Sequence, residues 1–337
     1  MKAILFMPNY IGDVLMVTPA IRILKKYVSS LETHVVIKQA LLELIDSNPY
    51  VNNVIVKISR WQTLKDIVRI KSDYAILFRT TFFNSLVSKL SFVKYSVGTN
   101  EEFSSIFLTE TIKKDFFRPY RSECAILVEK FLNHIGIEAK ILPDELKKID
   151  FFGWDTQEIK SSVEQKLTKF GIDTTKKLVV VSPFSTRKTK MLTIEQYVEL
   201  VNLLNKKYKK DIEIIFVGDK NSIPFVNQIM YKLANNNICK SLCGELNLKE
   251  LGYLLSISSY LISVDSGPGY VSQAVSTKTI IIFTSTLPEK YGPYNENVKI
   301  VYNPVLCSPC YKNECKIKNY KCIKQVDLNE IVDSVLL

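Results

Sequence analysis

The sequence predicts an α/β protein built from two doubly wound, Rossmann-like domains that face each other across a cleft. Apolar segments of strand length alternate with helical segments almost throughout the chain, which is typical of βαβ units with parallel strands. An irregular stretch at residues 140–153 interrupts this alternation, which then starts again. The length of 337 residues also suits two domains better than one. We therefore expect domains over residues 1–150 and 151–325, followed by a C-terminal helix at residues 326–337.

The first half contains four apolar segments that predict buried strands. Between them, apolar side chains recur at helical spacing, most clearly over residues 14–28, and Gly136 is a C-cap signal for the longest helix. The predicted strands are residues 3–8, 34–38, 53–57 and 74–78, and the predicted helices are residues 14–28, 39–47, 61–70 and 120–135.

The second half repeats the pattern. The unbroken apolar run of its first strand is typical of a parallel sheet that is covered on both faces. Because ligands of such sheets bind beyond the carboxyl ends of the strands, we expect functional residues at the strand-to-helix turns. The predicted strands are residues 178–184, 213–218, 260–265 and 279–283, and the predicted helices are residues 156–169, 193–209, 222–234, 247–258, 267–276 and 327–337.

Composition and charge limit the functional class. Hydrophobic residues make up 47% of the chain and charged residues 23%, which excludes a disordered, collagen-like or coiled-coil protein. No apolar run reaches the roughly 18 residues of a membrane span, and the N-terminus lacks a signal-peptide cleavage site, so we expect a cytoplasmic protein. The net charge of +11 favours phosphate-rich partners. Nucleic acid is not expected among them, since the sequence has neither an RNP-type strand nor an Arg-rich recognition helix.

The first strand-to-helix turn, at residues 8–20, carries one carboxylate. Gly12 permits a tight turn, and Asp13 follows at the edge of the helix. One interpretation makes Asp13 an N-cap that accepts backbone N–H groups. The other makes Asp13 a general base. A GxGxxG sequence is absent, so the dinucleotide-binding fingerprint is excluded.

A second turn follows the strand at residues 178–184 and combines hydroxyls with cations. Ser185 and Thr186 offer hydroxyl groups, Lys190 offers charge, and Thr193 is a suitable N-cap for the next helix. Such groups at the carboxyl end of a strand form a candidate phosphate cradle. The alternative is a solvated basic loop.

A third turn, at residues 263–275, leads from a strand into a helix through Ser266 and Gly267. Backbone N–H groups at a helix start can hold a diphosphate. Asp265 would repel phosphate, so we expect its carboxylate to order the turn or to bond a hydroxyl. The alternative is a purely structural turn.

These motifs, in this order and spacing, resemble glycosyltransferase family nine, the lipopolysaccharide heptosyltransferase family, and most closely its heptosyltransferase II type. The resembling segments are PNYIGDVLMVTP at 8–19, the strand, turn and lysine at 181–190, VDSGPGYVSQA at 264–274 and IIIFTSTLPEKYGPY at 280–294. The sequence departs from the family pattern at Tyr10 (usually Trp), Leu192-Thr193 (usually Trp-Pro), Tyr270 (usually His) and Thr284-Ser285 (often Gly-Pro).

The resemblance implies a GT-B fold, with the acceptor on the N-terminal domain, the nucleotide-sugar donor on the C-terminal domain and no cofactor for catalysis. It implies inverting transfer of a heptose or related sugar from an ADP-sugar to a lipopolysaccharide core or another glycan. Asp13 matches the catalytic base, and Asn9 and Gly12 belong to the acceptor-side turn. The residues expected to bind the donor are Ser185, Thr186, Lys190, Leu246, Asp265, Ser266, Gly267 and Tyr270.

The resemblance also implies an anionic glycolipid acceptor, which would place the protein at the inner face of a bacterial inner membrane. Aromatic and basic residues alternate at residues 80–95 and 113–121, as in interfacial anchors, so we expect peripheral binding to an anionic membrane surface. The alternative is that the phenylalanines of these segments are core residues.

Four of the seven cysteines lie within sixteen residues, in a C-x2-C-x4-C-x6-C pattern. Four thiolates at this spacing can close a tetrahedral structural site for zinc or iron, and the resemblance implies the same, since a cysteine finger holds iron in a related autotransporter heptosyltransferase. Reduced thiols and disulfides are the alternatives. The four cysteines of this pattern are Cys307, Cys310, Cys315 and Cys322, and those expected in the core are Cys124, Cys239 and Cys243.

Two other functional classes stay open from the sequence. One is a catalytically silent family member that binds nucleotide sugar or scaffolds an assembly, which the tyrosine at position 270 favours. The other is a metal-cluster interaction protein whose Rossmann-like halves serve as scaffold.

Overall fold

The computed structural model describes residues 1–233, 238–292 and 295–336. The chain divides into two compact units, Met1–Phe152 and Gly153–Leu337, so the division falls inside the irregular stretch at residues 140–153. The predicted helices at residues 222–234 and 327–337 each end on a residue outside the described ranges, namely 234 and 337. The motif at residues 280–294 ends on two such residues, 293 and 294.

The first unit contains, among its described residues, one sheet of six parallel strands. These are β1 Lys2–Phe6, β2 Glu32–Lys38, β3 Asn53–Lys57, β4 Tyr74–Leu77, β5 Tyr95–Thr99 and β6 Glu110–Ile112. They pair in the order β3-β2-β1-β4-β5-β6, the doubly wound arrangement. The helices are α1 Ile11–Tyr27, α2 Arg60–Ile70, α3 Phe82–Leu90 and α4 Tyr120–His134.

Most boundaries in the first unit lie within a few residues of their predicted positions. Two shifts reach three residues: α1 begins at Ile11 and not at residue 14, and the helix predicted over residues 39–47 ends at Leu44. The segment at Gln39–Leu44 is a 3₁₀ helix. Gly136 adopts a φ of +83° just beyond α4, which confirms the predicted C-cap signal.

The elements α3, β5 and β6 were not predicted from the sequence. The helix α3 is amphipathic, and the side chain of Thr81 caps its N-terminus by accepting the N–H of Asn84. The two strands are five and three residues long and carry Ser, Thr, Gly and Glu, so they lack the apolar runs of the central strands. The strand β5 pairs with β4, and β6 pairs with β5.

The second unit has a sheet with the same order of strands. Its described strands are β7 Lys177–Ser182, β8 Ile212–Phe216, β9 Cys239–Ser241, β10 Tyr260–Val264, β11 Thr279–Phe283 and β12 Val298–Tyr302. They are all parallel, in the order β12-β11-β10-β7-β8-β9. The helices are α5 Gln157–Lys169, α6 Ile194–Tyr208, α7 Ile223–Lys232, α8 Leu248–Ser256, α9 Gly267–Ala274, α10 Pro288–Tyr291, α11 Lys321–Lys324 and α12 Leu328–Ser334.

The core of the second unit includes both the central strands and the C-terminal helix. Ile331 of α12 is fully buried and packs in one cluster with Leu200 and Leu204 of α6. The side chain of Thr193 accepts the N–H of Gln196 at the start of α6, which confirms the predicted N-cap. The short strands β9 and β12 were missed. Cys124, Cys239 and Cys243 are buried as expected.

Among the helices that the structure describes, none is both long and apolar enough to pass through a lipid bilayer. In each unit the strand-to-helix turns lie at one edge of the sheet, because all the strands are parallel.

Candidate functional site

An ion pair joins two of the predicted turns in the second unit. Lys190 closes a 3₁₀ turn, Lys188–Lys190, in the segment that follows β7, and Asp265 follows the neighbouring strand β10. The Lys190 Nζ donates to Oδ2 of Asp265 at 2.6 Å and to the Asp265 carbonyl oxygen at 3.1 Å. The Asp265 side chain is 4% exposed. The two turns therefore meet through a nearly buried charge pair.

Two hydroxyl groups also reach the Asp265 carboxylate. Thr286 Oγ1 donates to Oδ2 at 2.6 Å, and the hydroxyl of Tyr270 lies 3.1 Å from Oδ1. The Tyr270 hydroxyl also lies 2.8 Å from the carbonyl oxygen of Tyr291. A buried carboxylate needs such partners, because transfer out of water is costly for an isolated charge. Thr286 was missed from the sequence, although its place just after a buried strand was a usable signal.

The helix α9 begins beside this carboxylate. Ser266 is the N-cap residue and has an extended backbone, with φ −149° and ψ 173°, but its side chain makes no capping hydrogen bond. The first N–H groups of a helix have no intrahelical partner and carry the positive end of the helix dipole. Gly269 lets α9 lie close to β11, since a Cβ atom there would stand 3.1 Å from the Ile281 side chain. The start of α9 is thus suited to an anionic group.

The remaining predicted donor residues lie at the same edge of the sheet. Ser185 is half-buried, and its Oγ accepts the N–H of Arg187 at 3.4 Å. Thr186 is exposed in the same segment, and Leu246 is half-buried between β9 and α8. The structure brings Lys190, Asp265 and Tyr270 into direct contact, but it records no hydrogen bond from Ser185 or Thr186 to that group.

The segment that contains the four clustered cysteines, residues 307–322, contacts the 3₁₀ turn Lys188–Lys190. We call these the cysteine-containing segment and the lysine turn. Thr189 is buried, its N–H donates to the carbonyl oxygen of Asn313 at 3.3 Å, and its Oγ1 contacts the carbonyl oxygen of Lys312 and, at 3.0 Å, Ser285 Oγ. On the surface, Lys188 pairs with Glu314 at 2.7 Å. The alternative of a solvated basic loop therefore does not hold for Thr189, which is buried. The segment at residues 312–314 contacts the turn that carries Lys190.

The metal site predicted from the cysteine spacing is not found. Within the described ranges, no group of three or more His, Cys, Asp or Glu side chains has the arrangement of a metal site. The cysteines Cys307, Cys310, Cys315 and Cys322 are free thiols, so the disulfide alternative is also wrong. Backbone hydrogen bonds contribute to the position of the segment, including the one from Tyr311 N–H to the Ser285 carbonyl oxygen at 2.9 Å.

The thiols of this segment nevertheless influence one another. Burial raises the pKa of Cys322, and the neighbouring thiols of Cys307, Cys310 and Cys315 raise this pKa further. Hydrogen bonds from backbone N–H groups, first that of Tyr320, lower the pKa of Cys315. We assign no metal and no chemical step to these residues.

In the first unit, Asp13 lies in the first turn of α1. The N-cap position is occupied by Tyr10, so the interpretation of Asp13 as an N-cap is wrong. The start of α4 lies close by: burial raises the pKa of the Tyr120 hydroxyl and of the Cys124 thiol, and the Asp13 carboxylate contributes to both rises in pKa. Among the acceptor-side residues, Asn9 is half-buried and Gly12 is buried.

Comparison with a family model supports the resemblance seen in the motifs. The model described as glycosyltransferase family 9 (heptosyltransferase) matches residues 60–321, more than three quarters of the chain. A curated relative, the lipooligosaccharide heptosyltransferase 2 of Campylobacter jejuni subsp. jejuni serotype O:6, is 23% identical over 350 residues, covering 99% of this chain and 98% of the relative.

Solved structures share the fold over nearly the whole chain. The ADP-heptose lipopolysaccharide heptosyltransferase II of E. coli has a TM-score of 0.80 at 16% identity and covers 99% of this chain and 97% of its own. The E. coli heptosyltransferase WaaC with ADP-2-deoxy-2-fluoro heptose has a TM-score of 0.66 at 17% identity. The match covers 96% of this chain and 98% of the WaaC chain. These likenesses confirm the GT-B fold of two Rossmann-like domains.

Proposed function

Since this chain belongs to glycosyltransferase family 9, the heptosyltransferase family, and is therefore a glycosyltransferase, we propose that it transfers a heptose from ADP-heptose to a hydroxyl group of a lipopolysaccharide core. The observation that carries the proposal is the contact between Lys190 and Asp265, which joins a lysine turn to the start of α9. This arrangement fits the diphosphate of a nucleotide sugar. An ADP-heptose analogue bound to a structure of the same fold supports this choice of donor.

The donor half of the proposal concerns the leaving group. When the bond between the anomeric carbon and ADP breaks, negative charge develops on the diphosphate. Lys190 and the N–H groups at Ser266 and Gly267 are preorganised to meet that charge, which is electrostatic stabilisation in the transition state. Ser185 and Thr186 supply hydroxyls from the neighbouring segment. Asp265 keeps the ammonium group of Lys190 oriented, while Tyr270 and Thr286 share the carboxylate charge.

The acceptor half assigns the base to Asp13. Its carboxylate takes the proton of the acceptor hydroxyl while the hydroxyl oxygen attacks the anomeric carbon and ADP departs from the opposite face. One bond forms and one breaks in a single displacement, so the configuration at the anomeric carbon inverts. Asp13 is half-buried in the first turn of α1 and lies close to Tyr120 and Cys124 of α4, which supports this assignment. Asn9 and Gly12 shape the turn around it.

The acceptor is proposed to be an anionic glycolipid, reached from the cytoplasm at an anionic membrane surface. The net charge of +11 supports this partner, since basic residues are attracted to anionic lipid headgroups. The catalytic reaction as proposed uses only side chains and backbone groups of the chain, and no cofactor takes part in it.

A second candidate function is a silent family member that binds nucleotide sugar without turnover. It is favoured by Tyr270, which stands in the usual place of a histidine. The two candidates agree on nucleotide binding and differ in product formation.

The test of the proposed function is a transfer assay with ADP-heptose and a deacylated core saccharide, read by mass spectrometry of the saccharide. We expect the saccharide to gain one heptose, with one ADP released for each transfer, and we expect GDP- and UDP-sugars to be poorer donors. The variant Asp13→Asn serves as the inactive control. Binding of ADP without any transfer to the saccharide would favour the silent member, and a lack of nucleotide binding would contradict both candidates.

A further inference from the structure

Large apolar side chains are exposed where segments leave the strands of the first unit. Six of them follow β3, β4, β5 and β6 and are between 47% and 79% exposed: Ile58, Trp61, Phe82, Phe103, Phe116 and Phe117. Because the strands are parallel, the segments that follow them lie at one edge of the sheet. We call this the carboxyl-edge surface. Exposed aromatic and aliphatic groups concentrated at one edge indicate a binding surface.

Contacts between the segments make this surface continuous. The guanidinium of Arg60, at the start of α2, lies 5.4 Å from the ring centroid of Phe83 in α3. The Phe82 ring packs edge-on against the ring of Phe107, with 5.3 Å between the ring centroids, and Phe107 belongs to the segment between β5 and β6. That segment is in turn tied to the one after β6, where Lys114 pairs with Glu101 at 3.3 Å.

The charge of this surface is positive. In the part of the chain that the structure describes, no acidic side chain lies within 4 Å of a cationic nitrogen of Lys38, Lys57, Arg60, Arg79 or Lys113. The acidic residues of the same segments are engaged: Glu101 pairs with Lys114, Asp115 with Arg118, and Glu102 accepts the N–H of Phe82.

Three of these cations converge. Lys38 and Lys57 are register partners where β2 and β3 end, and Arg79 follows β4. Burial lowers the pKa of Lys57 to about 8, and the charges of Lys38 and Arg79 contribute to the lowering. A row of cations that the protein does not neutralise is complementary to an anionic partner.

We propose that the carboxyl-edge surface docks on an anionic lipid bilayer, with its aromatic side chains among the headgroups and its cations at the lipid phosphates. This inference rests on the proposed function, because a lipid-linked acceptor would be presented at the same edge that carries Asp13. The six apolar side chains are spread over four segments, and Phe116 and Phe117 pack edge-on against each other. Cations lie on the same segments. That pattern fits a fluid headgroup layer, where aromatic rings and basic residues both find partners, better than the dry apolar centre of a protein interface.

The test is co-sedimentation with vesicles of phosphatidylglycerol and phosphatidylcholine, compared with vesicles of phosphatidylcholine alone. We expect binding to the anionic vesicles, reversed at about 0.5 M salt, and a loss of at least about tenfold in partitioning for a double variant Phe103→Ala/Phe117→Ala. The matched control is Phe92→Ala. Phe92 is 87% exposed, has a φ of +56° against +59° for Phe103, and precedes β5 at the opposite edge of the sheet.

A spectroscopic measurement gives the depth of contact. In a Trp154→Phe variant, Trp61 is the remaining tryptophan, and we expect its emission to shift to shorter wavelength on anionic vesicles and to be quenched by brominated lipid. Equal partitioning of the double variant and wild type, an equal loss in Phe92→Ala, or unquenched Trp61 would each overturn the proposal.

The two proposals fail in distinguishable ways. If the docking surface is wrong and the proposed function is right, heptose transfer to the deacylated saccharide persists while the vesicle results contradict docking. If the function is wrong and the surface is right, vesicle binding depends on Phe103 and Phe117 although no heptose is transferred.

Discussion

The ammonium group of Lys190 lies 2.6 Å from Oδ2 of Asp265 and 3.1 Å from the carbonyl oxygen of the same residue. This contact connects residues 75 positions apart in the sequence. It orients a lysine beside the N-terminus of α9, and it gives Asp265 a cation that compensates its burial. The proposed role in donor binding and a role in stability therefore fall on the same pair of residues.

Replacement of Lys190 tests both roles. We expect Lys190→Ala to weaken ADP binding by about 1.5–3 kcal/mol, the range for a hydrogen bond to a charged group. The variant should also lose about 3–5 kcal/mol of unfolding free energy, since the Asp265 carboxylate stays buried without its cation. Calorimetry with ADP and urea denaturation measure the two effects.

The control for this prediction is Lys188→Ala in the same turn. Lys188 is exposed and pairs with Glu314 on the surface, and surface ion pairs contribute little. We expect both quantities to stay near those of wild type. Unchanged ADP affinity in Lys190→Ala, or an equal loss in Lys188→Ala, would remove Lys190 from the donor site.

Replacement of Asp13 separates chemistry from donor binding. We expect Asp13→Asn to lower kcat by a factor of about 10²–10⁴, the usual contribution of a general base, while the affinity for ADP-heptose stays nearly constant. Steady-state transfer rates and calorimetry check this. The control, Asp144→Asn, changes an exposed carboxylate in the same unit. Turnover within a few-fold of wild type would exclude Asp13 as the base.

The buried hydroxyl of Thr189 is expected to couple the cysteine-containing segment to the lysine turn. In Thr189→Val the shape is kept, but Ser285 Oγ and the Lys312 carbonyl oxygen lose a partner, so we expect a loss of about 1–3 kcal/mol in unfolding free energy. Trypsin should cut at Lys316 and Lys318 faster than in wild type. In the control, Thr168→Val, the change falls on an exposed residue of α5. Proteolysis at the wild-type rate would show that the coupling is dispensable.

The row of cations at the carboxyl edge of the first sheet predicts a pH-dependent stability. The pKa of Lys57 is about 8 in the folded protein, against 10.5 for an ordinary lysine. Below pH 8 the group is charged in both states, so its charge destabilises the fold by up to about 3 kcal/mol. This penalty shrinks as the pH rises from about 8 to 10.5, because the folded state then releases its proton first.

We therefore expect Lys57→Gln to be more stable than wild type at pH 7 and to lose this advantage by about pH 10.5. Thermal denaturation across this range is the measurement. The control, Lys65→Gln, changes an exposed lysine of α2 and should show no such trend. An advantage that is the same at every pH would contradict the assigned cause.

The alternation of strand-length apolar segments with helical segments was sufficient to predict the fold class. The strands β1, β4, β7 and β11 contain runs of four apolar residues, and this local pattern identifies them, because a strand buried on both faces favours apolar side chains. The edge strands β6 and β9 are three residues long and carry polar side chains. They are strands because a neighbour offers backbone hydrogen bonds, and no local pattern reports that.

For the site, local patterns located the turns but not their connections. Asp13, Lys190 and Asp265 could be selected as candidates because charged groups at carboxyl ends of parallel strands are visible in a sequence. Tertiary structure decided that Lys190 faces Asp265, that Thr286 completes the carboxylate's partners, and that the cysteine-containing segment is held through Thr189. Each of these contacts joins segments far apart in the chain, and their energies depend on burial and on atomic distances that only the folded structure contains.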